Sequence, residues 1–398
     1  TAESNLVDTE HQYENFGQNY PVSSQVHLTV NSAQTRQRNL NDLQRLLEEF
    51  EPNPKKGTRE VNLNNREKKD VMDSMIENND LWVWPTLTES DKESLFKAMQ
   101  VYLDEFVEKY QPTDEEKKKY NRYQQVYPSV KHRIKMKRGS GLHEYYNGDH
   151  VMIGIDNNLY QYFAFQGPTE GTIIDYWTVV YQKRLKVVVK LTRDTEHTSQ
   201  RVTLKCADYF KGVNVENTSI IFENYNGYQH KLKVTLLKYL RVTLEGDKDA
   251  LEIRLCKVEQ VGGEGFETVN IFYPNWDDFS SLDPKALLRF NSFSRGEDLE
   301  GVWTRLEKQD RSWKEIRKIL NEAKSNGKTG IHCSAGVGRT GTFMIDDLMI
   351  SEFYRGAPNF KLLPILQSAR AYRPYLVQKF KQLDTLIDIK LKLFPTSK

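Results

Sequence analysis

Long apolar runs are missing from this 398-residue chain, in which no stretch approaches the roughly 18 apolar residues that would suggest a membrane span. Cysteine is scarce: only Cys206, Cys256 and Cys333 occur, with no close pair. That excludes a disulfide-stapled scaffold and points to free thiols in a reducing compartment. An excess of one charge is lacking too, since 57 Lys and Arg face 55 Asp and Glu for a net +2. So small a net charge gathers no polyanions, which excludes a dedicated nucleic-acid coating protein. No secretory hydrophobic stretch opens the chain, but it begins at Thr1 rather than methionine, so a missing leader carries little weight. What is present is length: enough for one large domain with an extension, or for two ordinary domains with a substantial core.

Thr1 through Asn39 is polar and lacks a sustained apolar period, so it reads as a loose tail. Leu40, Leu43, Leu46, Leu47 and Phe50 follow helical spacing until the Pro-bearing stretch Glu51–Gly57 breaks it. A second helix is predicted over Glu67–Glu77. A third begins after Thr86, with Thr86 and Glu89 read as a capping box. From about Tyr145 to Phe272 the texture changes to short β-branched and aromatic runs, among them Lys186–Leu191, Ser219–Phe222 and Leu240–Leu244. Helical periodicity returns beyond Asp283, is interrupted over Ser294–Gly301, and returns again from Lys361 to Phe394. Helices, then strands, then helices predict an α+β or mixed α/β domain rather than strict βα alternation.

The chemistry gathers in Ile331-His332-Cys333-Ser334-Ala335-Gly336-Val337-Gly338-Arg339-Thr340-Gly341, which reads as a short strand, a tight loop and a helix start. Such a loop turns successive backbone N–H groups inward and makes a nest for a tetrahedral dianion at a helix N-terminus. The same positive potential favours the thiolate of a cysteine at the base of the loop. Arg339 can close the far side with a planar fork on two phosphate oxygens. A nucleophile and a clamp are the expected roles of Cys333 and Arg339.

This string resembles the signature of the cysteine-dependent protein tyrosine phosphatases, and the resemblance extends over most of the chain from about Tyr120. Upstream of Cys333, Asn275-Trp276-Asp277-Asp278-Phe279 resembles the mobile loop that delivers the family's general acid. A phenolate leaving group, with a pKa of about 10, needs such an acid. Asp278 holds the matching position. Asp277 stands where the family usually has proline, which loosens the loop and sets a like charge beside the acid, and Ser280 replaces a usual glycine. Asn121-Arg122-Tyr123-Gln124-Gln125-Val126 resembles the substrate loop, whose Tyr123 and Val126 would flank a phosphotyrosine ring. A slot of that depth admits phenyl phosphate but keeps the shorter phosphoserine from the cysteine. Gln125 replaces the usual acidic residue that grips substrate amides, so peptide docking is expected to differ.

Near the C-terminus, Arg370, Arg373, Leu376-Val377-Gln378 and Gln382 match the segment that closes the family's site. By that resemblance Gln378 orients the attacking water, with Gln382 one helical turn away. Tyr375 takes a position that is small in some members, and would narrow the entrance. Phe165-Gln166-Gly167-Pro168, followed by Tyr176-Trp177, resembles a structural strand-turn-helix passage, and Lys205 belongs to a loop whose lysine reaches toward the acid loop. His332 orients the cysteine loop through hydrogen bonds, since no second histidine or cysteine stands at metal-ligand spacing. Cys206 and Cys256 are read as packed thiols.

The resemblance implies a tyrosine-phosphatase fold, a twisted mixed sheet flanked by helices on both sides with an N-terminal helical extension. Residues 1–60 would form a tail and helix for targeting or partner binding, and 61–398 the catalytic domain. The implied reaction is metal-independent hydrolysis of phosphotyrosine in proteins, with no cofactor. Cys333 attacks phosphorus, Asp278 protonates the leaving oxygen, and Arg339 with the amides of Ser334, Ala335, Gly336, Val337 and Gly338 holds the phosphoryl oxygens. Trp276, Lys205 and Arg373 support, and Thr340 donates to the departing thiolate. The expected setting is a cytoplasmic monomer acting on phosphotyrosine-containing proteins, in signalling or as an effector delivered into a host cell. Two rivals are a lipid or dual-specificity phosphatase, disfavoured because the loop holds no lysine, and a phosphotyrosine-binding domain with poor turnover, motivated by Asp277 and Gln125.

Overall fold

The computed structural model describes residues 37–51, 62–197, 199–278 and 280–395. Nearly all of the expected tail, most of the Glu51–Gly57 linker and Phe279 lie outside the described residues.

Four helices open the described part: α1 (Leu40–Glu48), α2 (Asn65–Glu77), α3 (Glu89–Leu103) and α4 (Asp114–Tyr120). Each begins at a side-chain cap, from Asn39, Asn64, Thr88 and Thr113 respectively. The cap of α3 corrects the expectation. Trp84-Pro85-Thr86 forms a 3₁₀ turn of its own, so the helix starts two residues later, with the Thr88 side chain accepting from the Asp91 N–H. Helix α1 has only nine residues, too few to persist alone. Burial of Leu43 and Leu47 against the body of the protein, worth roughly 1.5–3 kcal/mol each, is what holds it.

The strands follow: β1 (Arg133–Lys135), β2 (Tyr145–Ile155) and β3 (Asn158–Phe165), then helix α5 (Ile173–Gln182) and β4 (Val187–Lys190). Next come β5 (Thr195–His197), β6 (Val202–Leu204), β7 (Ser219–Phe222), β8 (Leu232–Val242), β9 (Leu251–Gln260) and β10 (Gly265–Phe272). Helices α6 (Pro284–Ser294), α7 (Val302–Gln309) and α8 (Ser312–Asn326) precede the last strand, β11 (Thr329–His332). Helices α9 (Gly338–Arg355), α10 (Leu362–Tyr372) and α11 (Phe380–Leu393) complete the chain, so the helical stretch expected from Lys361 to Phe394 is two helices broken around Arg373–Lys379.

Nine strands form one sheet in the order β1-β2-β3-β11-β4-β10-β9-β8-β7, and β5 pairs with β6 in a separate hairpin. Its centre, β3-β11-β4-β10, is parallel and its flanks are antiparallel. The sheet is therefore mixed, as the family resemblance implied. Strand β11 comes late in sequence but inserts between β3 and β4, with His332 in register with Phe165 and Lys190. One hydrophobic cluster lies on the α9 side and takes in α1–α3 and α11; a second surrounds α5. Ligands of such sheets gather outside the carboxyl ends of the parallel strands, where Cys333 follows β11.

Candidate active site

Residues 333–337 connect the centre of the sheet to α9. Their carbonyls all point away from the loop's interior into hydrogen bonds. His332 Nδ1 donates to Cys333 O at 3.0 Å and Gly167 N–H to Ser334 O at 2.9 Å. Arg373 donates to Ala335 O through Nη2 at 3.0 Å and to Gly336 O through Nε at 3.1 Å. Val337 O accepts from the N–H groups of Gly341 and Val377, at 3.0 and 3.1 Å. In a trans peptide the N–H lies opposite the C=O, so a loop with its carbonyls pinned outside turns its amides inward. Gly336 makes the turn possible: its φ is +74°, and a Cβ there would sit 2.1 Å from Phe165 O. Arg373 is fully buried, its charge balanced by Asp149 Oδ2 at 3.0 Å.

Cys333 Sγ, at the base of this cup and 2% exposed, accepts a hydrogen bond from Thr340 Oγ1 at 3.2 Å. His332 is fully buried between Cys333 O and Tyr209 Oη, which lies 2.9 Å from Nε2. A carbonyl only accepts, so Nδ1 carries the proton and Nε2 accepts from Tyr209. Burial pushes the pKa of His332 down to about 3 and keeps the ring neutral.

Arg339, the second residue of α9, is also fully buried. Its Nη1 donates to Glu196 Oε1 at 3.0 Å and to Trp276 O at 2.8 Å, and its Nη2 to Thr192 Oγ1 at 3.3 Å. Burial works to lower its pKa, but Cys333, Asp278 and Glu196 outweigh burial and hold it above its ordinary value. Arg339 Nε finds no partner among the described residues. A buried donor left in that state is costly until a partner is supplied.

The segment between β10 and α6 brings Asp278 over this cup. Its Oδ1 lies 3.2 Å from Arg339 Nη2 and its Oδ2 accepts from Lys205 Nζ at 2.7 Å. Trp276 is buried, with Nε1 donating to Ser280 O at 3.2 Å. Ser280 closes a turn by donating from its hydroxyl to Asp277 O at 2.6 Å. Asp277, by contrast, is exposed. The base of the segment is fastened by Asn275, which exchanges two hydrogen bonds with the Asp249 backbone.

Two further segments form the walls. Tyr123 Oη lies 2.8 Å from Ser334 Oγ, and Val126 is buried beside it in sequence. Arg122 ties this wall to the turn after β3, donating through Nε to Gly167 O at 3.0 Å and through Nη2 to Pro168 O. Gln125 is exposed and its carbonyl accepts from Tyr375 Oη at 3.3 Å. Opposite, the amides of Gln378 and Gln382 stand over Gly338: a Cβ there would meet Gln382 Nε2 at 3.0 Å and Gln378 Oε1 at 3.3 Å. Hydrogen bonds and ion pairs thus join Cys333 with Thr340, Arg339 with Asp278 and Trp276, Lys205 with Asp278, Arg373 with the loop carbonyls and Tyr123 with Ser334, while Gln125 meets Tyr375 at the rim. Cys206 and Cys256 are buried in the second core cluster, and burial pushes their thiols up to about 11 and 12.

Comparison with known proteins bears on the family and the fold. Residues 117–392, well over half of the chain, match the model of the family described as Protein-tyrosine phosphatase. The chain belongs to that family. It is 27% identical over 270 residues to tyrosine-protein phosphatase non-receptor type 2 of Rattus norvegicus, covering 67% of this chain and 54% of the relative. To the protein-tyrosine-phosphatase PTP1 of Arabidopsis thaliana it is 27% identical over 229 residues, covering 56% and 54%. The chain therefore spans about half the length of these relatives. Among solved structures, the catalytic domain of human protein tyrosine phosphatase non-receptor type 18 shares the fold, with a TM-score of 0.57, 22% identity, and 76% of this chain and 95% of that one covered. The comparison supports the tyrosine-phosphatase fold expected from the sequence.

Several residues of this phosphatase-family site had escaped the sequence. Glu196 and Thr192, on Arg339, come from the stretch after β4, and Tyr209 and Asp149 steady His332 and Arg373. None belongs to a contiguous motif. The one available signal was that a buried strand such as Val187–Lys190 must end beside other parallel strands, so that its following loop faces the same ligand side. No helix among the described residues is long and apolar enough to cross a membrane.

Proposed function

We propose that this chain hydrolyses phosphotyrosine in proteins through a phosphocysteine intermediate. The observation that carries the reading is the convergence of Cys333 Sγ, the outward-pinned loop and the Arg339 guanidinium, with its unpartnered Nε, beneath Asp278. A phosphoryl group entering the cup would take the inward amides of Ser334 to Gly338 and Arg339, through Nε and by displacing Asp278 from Nη2. The Cys333 thiolate attacks phosphorus and the ester P–O bond breaks, with Asp278 giving its proton to the tyrosine oxygen. Water held by Gln378 then attacks phosphorus and loses a proton to Asp278. The S–P bond breaks with its electron pair returning to sulfur, where Thr340 donates a hydrogen bond. Lys205 and Trp276 hold the acid segment, and Arg373 and His332 hold the loop.

Tyr123 and Val126 favour an aryl phosphate over the shorter phosphoserine. Peptide-bound phosphotyrosine as substrate is also favoured by a structural neighbour described as PTPN18 in complex with HER2-pY1196 phosphopeptides, with a TM-score of 0.57 and 21% identity. We assign catalysis to residues 61–398 and targeting or partner binding to residues 1–60, in a monomer acting in cytoplasmic signalling. The non-receptor names of its relatives favour that setting over delivery into a host cell. The test is capture from lysate: Asp278→Ala and Cys333→Ser proteins should retain phosphotyrosine proteins that vanadate displaces, while hydrolysing them far more slowly than the wild type. Undiminished hydrolysis by purified Cys333→Ser would overturn the assignment.

A further inference from the structure

Helix α3 precedes the segment that matches the family, yet its last turn reaches the backbone behind the candidate site. Gln100 Oε1 accepts from Arg370 Nη1 at 2.6 Å, and Asp104 Oδ1 accepts from the same nitrogen at 3.0 Å. The rest of that guanidinium is directed to the glutamine segment: Nε donates to Leu376 O and Nη2 to Val377 O, both at 2.8 Å. Arg370 is 1% exposed, so its charge depends on these contacts rather than on water. Burial lowers its pKa and Asp104 opposes the shift.

The backbone held in this way is strained. Tyr375 has a φ of +70° and Val377 of +59°, in the left-handed region that bulky and β-branched side chains avoid. Such a conformation persists only where its surroundings over-determine it. Here both carbonyls are held by one planar cation, and the Val377 N–H is held by Val337 O of the phosphate loop at 3.1 Å. The close approach is possible because Gly341 has no side chain: a Cβ there would lie 2.6 Å from Val377 N. Gln378 is the next residue.

We propose that Gln100 and Asp104 are positioning residues for the second half-reaction, setting Arg370 so that the strained Tyr375–Val377 backbone presents Gln378 to the attacking water. The inference rests on the phosphatase reading above and adds to it a role for the N-terminal helices. Nothing in the first step, attack by Cys333 with protonation by Asp278, requires Gln378, so the two steps should separate. In the second, water oxygen bonds to phosphorus, the S–P bond breaks with its electrons passing to sulfur, and Asp278 takes the water proton.

The experiment is rapid-quench hydrolysis of p-nitrophenyl phosphate by the full chain, with the phosphoenzyme measured after acid quench. Asp104→Ala should lower steady-state turnover by about 10- to 100-fold, the scale on which a displacement near 1 Å acts, while first-turnover release of p-nitrophenol stays within about twofold. A burst approaching one equivalent and accumulated phosphocysteine should result. Asp104→Asn, which keeps an acceptor oxygen, should fall between. Gln100→Ala substitutes a favourable residue within a helix and carries the same test if Asp104→Ala does not fold. Equal losses in both steps, or unchanged turnover in Asp104→Ala and Gln100→Ala, would overturn the proposal. A wild-type chain that never releases p-nitrophenol would overturn the phosphatase reading itself, which is a different result.

Discussion

Asp278 Oδ1 lies 3.2 Å from Arg339 Nη2, so the candidate proton donor rests against the candidate phosphate clamp. Its other oxygen accepts from Lys205, and the carbonyl of nearby Trp276 accepts from Arg339 as well. An incoming phosphoryl group would compete for this edge of the guanidinium and leave Asp278 beside the bridging oxygen, with Lys205 still holding it. Asp277 has no comparable place, being exposed at the turn closed by Ser280.

The first prediction follows from that contrast. Asp278→Ala should slow hydrolysis of a phosphotyrosine peptide by roughly 10² to 10⁴, the usual contribution of a positioned general acid. The loss should be smaller for an aryl phosphate whose leaving group is already acidic. Asp277→Ala should cost far less on both substrates. Rates measured across a series of aryl phosphates separate the two: steeper dependence on the leaving group in the Asp277 variant than in the Asp278 variant would overturn the assignment.

A second prediction concerns Arg339 and Glu196. Lysine at 339 offers a point charge and cannot reach Trp276 O, Glu196 and a phosphoryl edge together, so Arg339→Lys should be severely impaired in turnover. Glu196→Gln keeps an acceptor oxygen for Nη1 at a position now 3.0 Å away but removes its charge, and should be milder. Steady-state kinetics on both proteins check the order, and wild-type rates in Arg339→Lys would refute the clamp.

The degree to which the site was legible follows chain locality. His332 to Gly341 is contiguous, so the strand, loop, nucleophile and clamp could be read as one unit, and the acid and glutamine segments were carried by short strings of their own. Glu196, Tyr209 and Asp149 act through contacts spanning 123 to 224 positions, and nothing in their flanking residues marks them. The central place of β11 was hidden for the same reason, since strand order is fixed by tertiary packing rather than by a strand's own pattern. Locally, Thr86 and Thr88 both suited a helix start, and Pro85 decided between them by holding the first in a 3₁₀ turn.

Acid sensitivity is the third prediction. The folded-state pKa of His332 is depressed from 6.5 to about 3 by burial, so between those values the unfolded chain takes up a proton that the native ring refuses. Its contribution is fully present above pH 6.5 and is lost as pH falls toward 3, at about 1.4 kcal/mol per unit. His132 and His150, each pushed down to about 4 by burial, act in the same direction. Asp149 and Asp346, raised by burial to about 6 and about 8, act in the opposite direction, so the His332 part is read by difference: in urea unfolding at pH 7 and pH 5, the change in stability of His332→Asn should depart from that of the wild type by about 2 kcal/mol in favour of the variant at pH 5. An unchanged difference in that variant would count against a buried neutral histidine.

The last prediction tests the rim. Tyr375 joins the two walls: its backbone lies between Arg373 and Gln378, its hydroxyl donates to Gln125 O at 3.3 Å, and Lys109 Nζ sits 4.4 Å from its ring centroid. A contact of that length in a half-exposed place is weak, so Tyr375→Phe should leave activity nearly unchanged. Tyr375→Gly removes the wall. It also relieves a left-handed conformation that costs a side chain about 1–2 kcal/mol, which offsets the roughly 1 kcal/mol lost with a half-buried ring. Net stability should therefore change little, and selectivity can be read directly. Relative to p-nitrophenyl phosphate, kcat/KM for an aryl phosphate bearing a bulky second ring should rise by about fivefold or more in Tyr375→Gly, a modest value for opening a pocket wall, and stay level in Tyr375→Phe. A ratio unmoved by glycine would show that the ring stands clear of the entrance, and a ratio raised equally by phenylalanine would place the restriction in the hydroxyl bond to Gln125.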